Sequence, residues 1–342
     1  MNPAPKGASA PGKLMVAGEY AVLEGAPALV AAVSARAKAY WSPRLRGRSL
    51  GEGSRSPRNP SLPPEALIAR TLAEELRAEV PHLLNLDVDD LRRSDRKLGL
   101  GSSAAGAAAS AGAVFAFHGE EIESEGARRQ LLDLAMRAHR EVAPQGSGAD
   151  VAAAVLGGVV QFQREGEAYQ ALSLPWPQGL VARLVWTGRE ARTSDFLAQI
   201  HRRRARDGAG YRRVMDALGQ ESEAFVHAFR EGSGQAVVES AARYGAGMDA
   251  LGQWAELPVL ESTLRLIAEL AGDAGGAAKP SGAGGGDVAI AFFTSEGAAR
   301  DFENACERRA SRSARAGQDR PQGALEVLSL RLGEAGVRSE YA

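Results

Sequence analysis

The sequence is poor in thiols: Cys306 is the only cysteine among 342 residues. A single thiol cannot form an internal disulfide, and it cannot supply the ligands of a cysteine-rich zinc site. This usage is typical of a reducing compartment, and the Pro-, Ala- and Gly-rich first residues lack the apolar core of a secretory leader. We therefore expect a cytoplasmic protein.

The chain also lacks an excess of either charge. Its 41 Lys and Arg residues and 42 Asp and Glu residues give a formal net charge of −1. That balance excludes binding to nucleic acid or to an anionic membrane through bulk charge. The most apolar stretch, residues 104–117, is too short and too rich in alanine to span a bilayer. We expect small-molecule partners, with neither nucleic acid nor membrane among them, and a monomer or homodimer.

Residues 97–106 carry the strongest signal, because they read Lys-Leu-Gly-Leu-Gly-Ser-Ser-Ala-Ala-Gly. Glycines let a backbone approach a phosphate closely, and a helix that begins just after them offers unpaired N–H groups and a positive dipole end. Ser102 and Ser103 add hydroxyl ligands for a phosphate or for its Mg²⁺. We predict a phosphate loop at the start of a helix.

Two better-known phosphate motifs match this sequence only superficially. Residues 7–14 lack the Ser or Thr that ends a P-loop, since Leu14 occupies that position, and no apolar strand precedes them. Residues 99–104 fit a dinucleotide-binding fingerprint, but that motif follows a buried strand, and residues 90–97 are highly charged. We reject both interpretations.

Two further segments accompany the phosphate loop. Near the start, Pro11-Gly-Lys-Leu14 and Gly18-Glu-Tyr20 supply a cation and an acid, and residues 279–287 form a second glycine-rich loop near the end. This ordered trio resembles the GHMP kinase superfamily. The resemblance implies ATP and Mg²⁺ as cofactors, with the first segment lining the substrate pocket, the second wrapping the ATP phosphates and the third closing over both.

The resemblance also implies an α+β fold of two domains. The N-terminal domain, residues 1–176, would be ribosomal-S5-like and bind ATP, and the C-terminal domain, residues 177–342, would be ferredoxin-like. Within the superfamily, residues 17–23, 97–101, 146–154 and 275–287 are most similar to the phosphomevalonate kinase family. A phosphorylated acceptor, 5-phosphomevalonate, is therefore expected. A mevalonate kinase, a diphosphomevalonate decarboxylase-like enzyme and a non-catalytic sensor of the same fold stay open as alternatives.

The resemblance assigns two catalytic residues. Lys13 would bridge the donor phosphate and the acceptor oxygen, and Asp150 would pair with it and orient the acceptor. Their ordinary interpretations are a solvated lysine and an acid near a helix N-terminus. Ser103 is the expected Mg²⁺ ligand, while His139 stands where mevalonate kinases have a glutamate ligand. The expected ATP contacts are Lys97, Gly99, Leu100, Gly101, Ser102, Ser103 and Ala104. The expected substrate contacts are Glu19, Tyr20, Ser147, Arg192, Thr193, Lys279, Ser281, Gly282, Ala283 and Gly284.

Periodicity and turn residues predict the remaining organisation. Residues 42–60, rich in Arg, Ser, Gly and Pro, predict an exposed loop, and Pro64 opens an amphipathic helix. Residues 194–273 are predicted to be mostly helical, and residues 275–293 to form two short strands around a glycine loop. The other predicted strands are 14–20, 28–41, 85–91, 159–163, 181–186 and 324–331, and the other predicted helices are 102–118, 124–141, 148–156 and 296–309.

Overall fold

The computed structural model describes residues 7–42, 83–93, 96–166, 168–191, 193–315 and 325–341. Except for Ser42, the predicted loop at residues 42–60 lies outside these ranges, as do the predicted helix after Pro64 and the predicted ligand Arg192. Within the described part of the chain, no helix is both long and apolar enough to cross a lipid bilayer.

The described elements are twelve strands, eight α-helices and two short 3₁₀ helices. The strands are β1 (Gly7–Ala17), β2 (Ala28–Ser42), β3 (Leu83–Asp87), β4 (Arg92–Arg93), β5 (Arg96–Lys97), β6 (Val159–Glu165), β7 (Ala168–Leu174), β8 (Val181–Trp186), β9 (Ala277–Ser281), β10 (Val288–Phe293), β11 (Glu326–Leu328) and β12 (Arg338–Glu340). The α-helices are α1 (Ser102–Phe117), α2 (Glu125–Val142), α3 (Ala149–Leu156), α4 (Thr193–Arg206), α5 (Gly208–Arg230), α6 (Gly234–Ala255), α7 (Ser262–Asp273) and α8 (Glu296–Arg315). Short 3₁₀ helices span Ala21–Glu24 and Asp89–Leu91.

The first sheet is antiparallel, in the order β12-β1-β2-β6-β7, with β3 also paired to β2. Helix α1 packs against β1 and β2 and is buried along most of its length. Its residues are mainly alanine, glycine and serine, whose side chains project little, so the helix can be enclosed on all sides. This packing fixes the N-terminus of α1 beside the middle of β1.

The second sheet is also antiparallel, in the order β11-β8-β10-β9. Strand β10 is apolar throughout and is covered on both faces, as a short continuous apolar run predicts. On one face Phe292 packs against Phe225 of α5, with ring centroids 5.8 Å apart. On the other face Phe293 packs against Phe302 of α8, at 5.3 Å. The strand therefore anchors the glycine loop that precedes it between two layers of helices.

Most of the predicted elements are confirmed, and β8 has the predicted bounds. The predicted strand at 14–20 differs at its end, because β1 stops at Ala17 and Tyr20 adopts a φ of 62° before a 3₁₀ turn. Strands β4, β5, β7 and β12 were not predicted, and the predicted strand at 85–91 ends early, because Asp89–Leu91 form a 3₁₀ turn. The sheet-and-helix architecture expected of an α+β protein is confirmed, although β12, from the second predicted segment, pairs with β1 of the first sheet.

Candidate active site

Lys13 lies on β1 at the point where this strand meets the phosphate loop. Its backbone N–H donates a hydrogen bond of 2.8 Å to the carbonyl oxygen of Leu100. The pairing of β1 with β2 shifts register between Pro11 and Lys13, which is the irregularity of a β-bulge. A bulge re-aims the side chains that follow it, and the ladder resumes at Lys13, which pairs with Ala32.

The loop itself turns through two glycines with positive φ, Gly99 at 77° and Gly101 at 73°. Gly101 is the N-cap of α1 and provides no side-chain cap, so the first N–H groups of the helix are available to an anion. A β-carbon on Gly101 would lie 2.7 Å from Cγ of Lys13, so the lysine side chain lies directly over the loop. The ammonium-bearing side chain of Lys13, the N-terminus of α1 and the turn at Gly99 and Gly101 therefore lie next to one another.

The remaining predicted ATP contacts differ in exposure. Ser102, Leu100 and Ala104 are buried, Ser103 is half-buried and Lys97 is exposed. The backbone N–H of Lys97 donates to the carboxylate of Glu190 in the connection between β8 and α4. The structure therefore ties the phosphate loop to the second sheet's side of the molecule.

A cleft of about 180 Å³ lies beside Lys13. Eight residues predicted to be catalytic or substrate-binding share its lining with apolar and small polar side chains. The eight are Lys13, Glu19, Tyr20, Ser147, Asp150, Thr193, Gly282 and Ala283. The others are Met15, Val22, Leu23, Gln145, Gly146 and Leu197.

Asp150 enters this cleft from the second residue of α3. Its Oδ1 accepts a hydrogen bond of 3.0 Å from the N–H of Val151, and its side chain is 27% exposed. Nε2 of the buried His139 lies 3.9 Å from Oδ2 of Asp150. Ser147 stabilises the approach to α3, since its hydroxyl accepts from the N–H of Ala149 at 3.2 Å. The carboxylate is therefore placed at the cleft by the start of a helix, with one imidazole beside it.

Glu19 and Lys279 form an ion pair in the interior, with side chains only 1% and 0% exposed. The Lys279 ammonium also donates to the carbonyl oxygen of Pro280 at 2.8 Å, and it lies 5.5 Å from the ring centre of Tyr244. Burial lowers the pKa of Lys279, Glu19 opposes that shift, and the charge of Lys13 adds to it. Lys279 is not among the residues that line the cleft, and this placement argues against the direct substrate contact that we expected of it.

The third segment is fastened to the first by Tyr20. Its hydroxyl donates a hydrogen bond of 2.5 Å to the carbonyl oxygen of Ala283, and burial raises the pKa of the phenol. Gly285 donates from its backbone N–H to Val259 at 2.9 Å, which holds the far side of the glycine loop. Gly282 and Ala283 therefore face the cleft, whereas Ser281 and Gly284 are buried and do not line it.

Asp287 is a residue of this region to which the sequence analysis gave no role. Its Oδ1 accepts a hydrogen bond of 2.9 Å from the N–H of Ala191. Its carboxyl carbon lies so close to Gly99 that a β-carbon added to this glycine would be only 2.5 Å from it. Burial raises the pKa of Asp287, while this hydrogen bond and the charges of Lys13 and Lys97 oppose the shift. The only feature of the sequence that marks Asp287 is its position as the last residue of the third glycine motif.

The chemistry of the donor set bears on a metal ion. Within the described ranges, no group of three or more His, Cys, Asp or Glu side chains could hold one without further ligands. Ser103 and Asp150 offer oxygen donors, and oxygen is what Mg²⁺ prefers. His139 offers only nitrogen at the position of the expected glutamate. The site fits an ion that arrives with its own phosphate oxygens.

Comparison with known proteins matches both halves of the chain. Residues 67–158 match the family model described as GHMP kinases N terminal domain, and residues 225–312 match the model described as GHMP kinases C terminal. The chain is 31% identical to a phosphomevalonate kinase of Streptomyces sp. strain CL190, over 87% of this chain and 92% of the relative. A mevalonate kinase of Aeropyrum pernix is also 31% identical, over 63% of this chain and 64% of that relative.

A solved structure has the same fold. It is the phosphomevalonate kinase of Streptococcus pneumoniae in complex with phosphomevalonate and AMPPNP, with a TM-score of 0.72 and 21% identity over 95% of this chain and 99% of that one. Together with the two family models, this similarity confirms the resemblance and the fold predicted from the three glycine-bearing segments.

Proposed function

The chain belongs to the GHMP kinases, which are ATP-dependent enzymes, and from this premise we propose that it phosphorylates (R)-5-phosphomevalonate. The reaction would transfer the γ-phosphoryl group of ATP to the acceptor's phosphate, giving 5-diphosphomevalonate and ADP in isoprenoid precursor synthesis. The observation that carries the choice of acceptor is the 31% identity with the Streptomyces phosphomevalonate kinase over 87% of the chain.

The ATP phosphates would bind at the N-terminus of α1. The first N–H groups of the helix, the backbone of Gly99 and Gly101 and the hydroxyl of Ser102 would contact the phosphate oxygens. Ser103 is the residue we assign to Mg²⁺, with the phosphates supplying further ligands. When bound, Mg²⁺ would neutralise charge on the triphosphate. The helix dipole acts in the same direction, since its positive end faces the phosphates.

The acceptor would occupy the adjoining cleft. Met15, Val22 and Leu197 offer an apolar wall for its carbon chain, and the hydroxyls of Ser147 and Thr193 offer hydrogen bonds to its polar groups. Arg192, next to Thr193 in the chain, is a further proposed phosphate ligand and lies outside the described residues. Ring and hydroxyl of Tyr20 close the cleft against the glycine loop.

Phosphoryl transfer depends on positioning and on neutralising charge more than on covalent catalysis. Lys13 would lie between the two polyanions and stabilise charge on the transferred group. A phosphate monoester has a second pKa of about 6, so the acceptor is already mostly ionised at neutral pH. Asp150 therefore acts by orienting Lys13 and the acceptor, and proton abstraction is a minor part of its role.

An acceptor panel tests this proposal. The purified full chain is supplied with ATP, Mg²⁺ and either 5-phosphomevalonate, mevalonate or 5-diphosphomevalonate, and ADP is measured with a coupled assay. We expect turnover with 5-phosphomevalonate, its loss in Asp150→Ala and its retention in Asp216→Ala, which removes an exposed carboxylate of α5. Faster turnover of mevalonate, release of CO₂ from 5-diphosphomevalonate, or no ADP with any acceptor would each overturn the proposal.

A further inference from the structure

The site holds two lysines, Lys279 and Lys13, and the buried carboxylate Glu19. Lys279 makes the ion pair with it, and the positive charge of Lys13 acts on Lys279. Lys13 and Glu19 line the same cleft. Among the described residues, Glu19 forms its ion pair with Lys279, and no carboxylate forms an ion pair with Lys13. Which lysine neutralises Glu19 thus decides how much positive charge faces the cleft.

The interior position of Lys279 is built by several contacts. Its ammonium is held by Glu19 and by the carbonyl oxygen of Pro280, and its stem lies on β9 beneath α6. Tyr244 of α6 places its ring near the ammonium and donates its hydroxyl to the carbonyl oxygen of Glu19 at 2.8 Å. A charge enclosed in this way stays only where a counter-charge meets it. Lys279 is therefore matched to Glu19 and is not available as a ligand for substrate.

Glu19 has an asymmetric environment. One oxygen, Oε1, accepts from Lys279 and from the N–H of Gly282 at 3.4 Å. The other, Oε2, is buried and has no hydrogen-bond partner among the described residues. A carboxylate with an unused oxygen at the edge of a cleft would attract the nearest cation if Lys279 did not hold it. In that cleft the lysine is Lys13.

We propose that Lys279 is a positioning residue that neutralises Glu19 and so keeps the charge of Lys13 directed at the phosphate groups of the substrates. The inference rests on the proposed function, because it assigns Lys13 to phosphate. Without Lys279, Glu19 would pair with Lys13 and withdraw its charge from the cleft. Binding of phosphorylated ligands would weaken, although every residue proposed to contact these ligands would be unchanged.

Charge-matched variants separate this role from simple packing. Lys279→Met removes the ammonium and keeps most of the stem, and Glu19→Gln/Lys279→Met removes both charges. We expect KM for 5-phosphomevalonate to rise about tenfold in Lys279→Met, as contacting charges commonly produce couplings of this size, with a much smaller change in kcat. The double variant should have a lower KM than Lys279→Met, because it holds no unpaired carboxylate beside Lys13. Lys38→Met, at an exposed ion pair with Asp90, is the matched control.

Two outcomes would overturn the inference. One is an unchanged KM in Lys279→Met. The other is a double variant as impaired as Lys279→Met, which would show that the ammonium is needed for packing alone. The thermal unfolding temperature of each variant shows whether its structure as a whole is lost. Such a loss would lower kcat and raise KM in the single and the double variant alike.

The wild-type enzyme keeps this test apart from the test of function. If it does not turn over 5-phosphomevalonate, the proposed acceptor is wrong. The same variants are then compared by calorimetric binding of ATP, whose phosphates also meet Lys13 in the proposed site. A tenfold weaker affinity in Lys279→Met that the second substitution reverses would still support the role of Lys279, and an equal affinity in all forms would refute it.

Discussion

The carboxyl group of Asp287 lies directly against the backbone of Gly99, and a β-carbon on that glycine would be 2.5 Å from the carboxyl carbon. The two residues lie far apart in the sequence, one in the phosphate loop and one in the third glycine motif. Around them, Arg96 donates to the carbonyl oxygen of Gly188 at 2.9 Å and Asp287 donates its N–H to Arg189 at 2.7 Å. The phosphate loop is thus supported from the second sheet.

Replacing Gly99 with alanine should damage this support. The φ of 77° is strained for any residue with a β-carbon, at a cost of about 1–3 kcal/mol, and the new methyl group would also displace Asp287. We expect a lower free energy of unfolding in urea and a higher KM for ATP. Gly119→Ala is the control, because it has a φ of 80° with no atom within 4 Å. Equal effects at both positions would contradict the role of the contact.

Replacing Lys13 with methionine should abolish most activity. The substitution removes the cation that lies over Gly101 but keeps the packing of its stem, so stability should change little. Loss of one charge-stabilising group commonly lowers kcat by about 10²–10³-fold. ADP formation at saturating substrates measures the effect, and Lys38→Met should retain full activity. A fall of less than tenfold would place the transferred phosphoryl group away from Lys13.

Replacing Asp287 with asparagine should make stability less dependent on pH. Burial raises the pKa of this carboxyl in the folded protein, so its stabilising contribution is complete below the unfolded pKa of about 3.9 and is lost as the pH rises through the folded value. Asparagine does not titrate and can still accept from Ala191. Urea unfolding from acid to neutral pH should therefore show the variant gaining on the wild type as the pH rises.

A constant difference between Asp287→Asn and the wild type at every pH would contradict this prediction. Asp301→Asn, at an exposed position of α8, provides the comparison for removal of a carboxylate that stays in water. Its stability difference from the wild type should vary little over the same range.

Replacing Tyr20 with phenylalanine should loosen the third glycine segment. The variant loses the 2.5 Å hydrogen bond to Ala283 and leaves a buried carbonyl oxygen without it, which should lower the free energy of unfolding by about 1–2 kcal/mol. Hydrogen exchange at residues 282–285 should become faster. Tyr341→Phe, at a residue that is 57% exposed, should change neither quantity. Unchanged exchange in Tyr20→Phe would mean that the remaining hydrogen bonds, to Val259 and Glu19, are enough to hold the loop.

The elements that the sequence predicts best are those with a strong local signal. Helix α1 follows two glycines and consists of small residues, and the apolar run of β10 leaves little choice but a buried strand. Strands β7 and β12 lack such a signal. Strand β7 lies at the edge of its sheet, where Leu172 is 50% exposed, and β12 has three residues whose conformation depends on pairing with β1.

The site was predictable where a motif carries its own chemistry. Lys13, Asp150 and Tyr20 were singled out through the resemblance that their segments carry, and the structure brings them to one cleft, although their roles stay predictions. The partner of Lys279 was not predictable, because Glu19 is 260 positions away and nothing in the local pattern marks a buried lysine. The same holds for Asp287, whose contact with Gly99 arises only from the packing of the two sheets.

Strand β12 has a consequence for how the molecule would come apart. Its pairing with β1 at Ala8 and Ser9 means that the segment closing the N-terminal sheet is made from the last residues described. A chain cut between the two sheets would leave the outer side of β1 bare, with unsatisfied main-chain groups exposed to other molecules. The parts of the chain that form the two sheets should therefore unfold in a single transition. Fragments expressed separately should fold only when they are mixed.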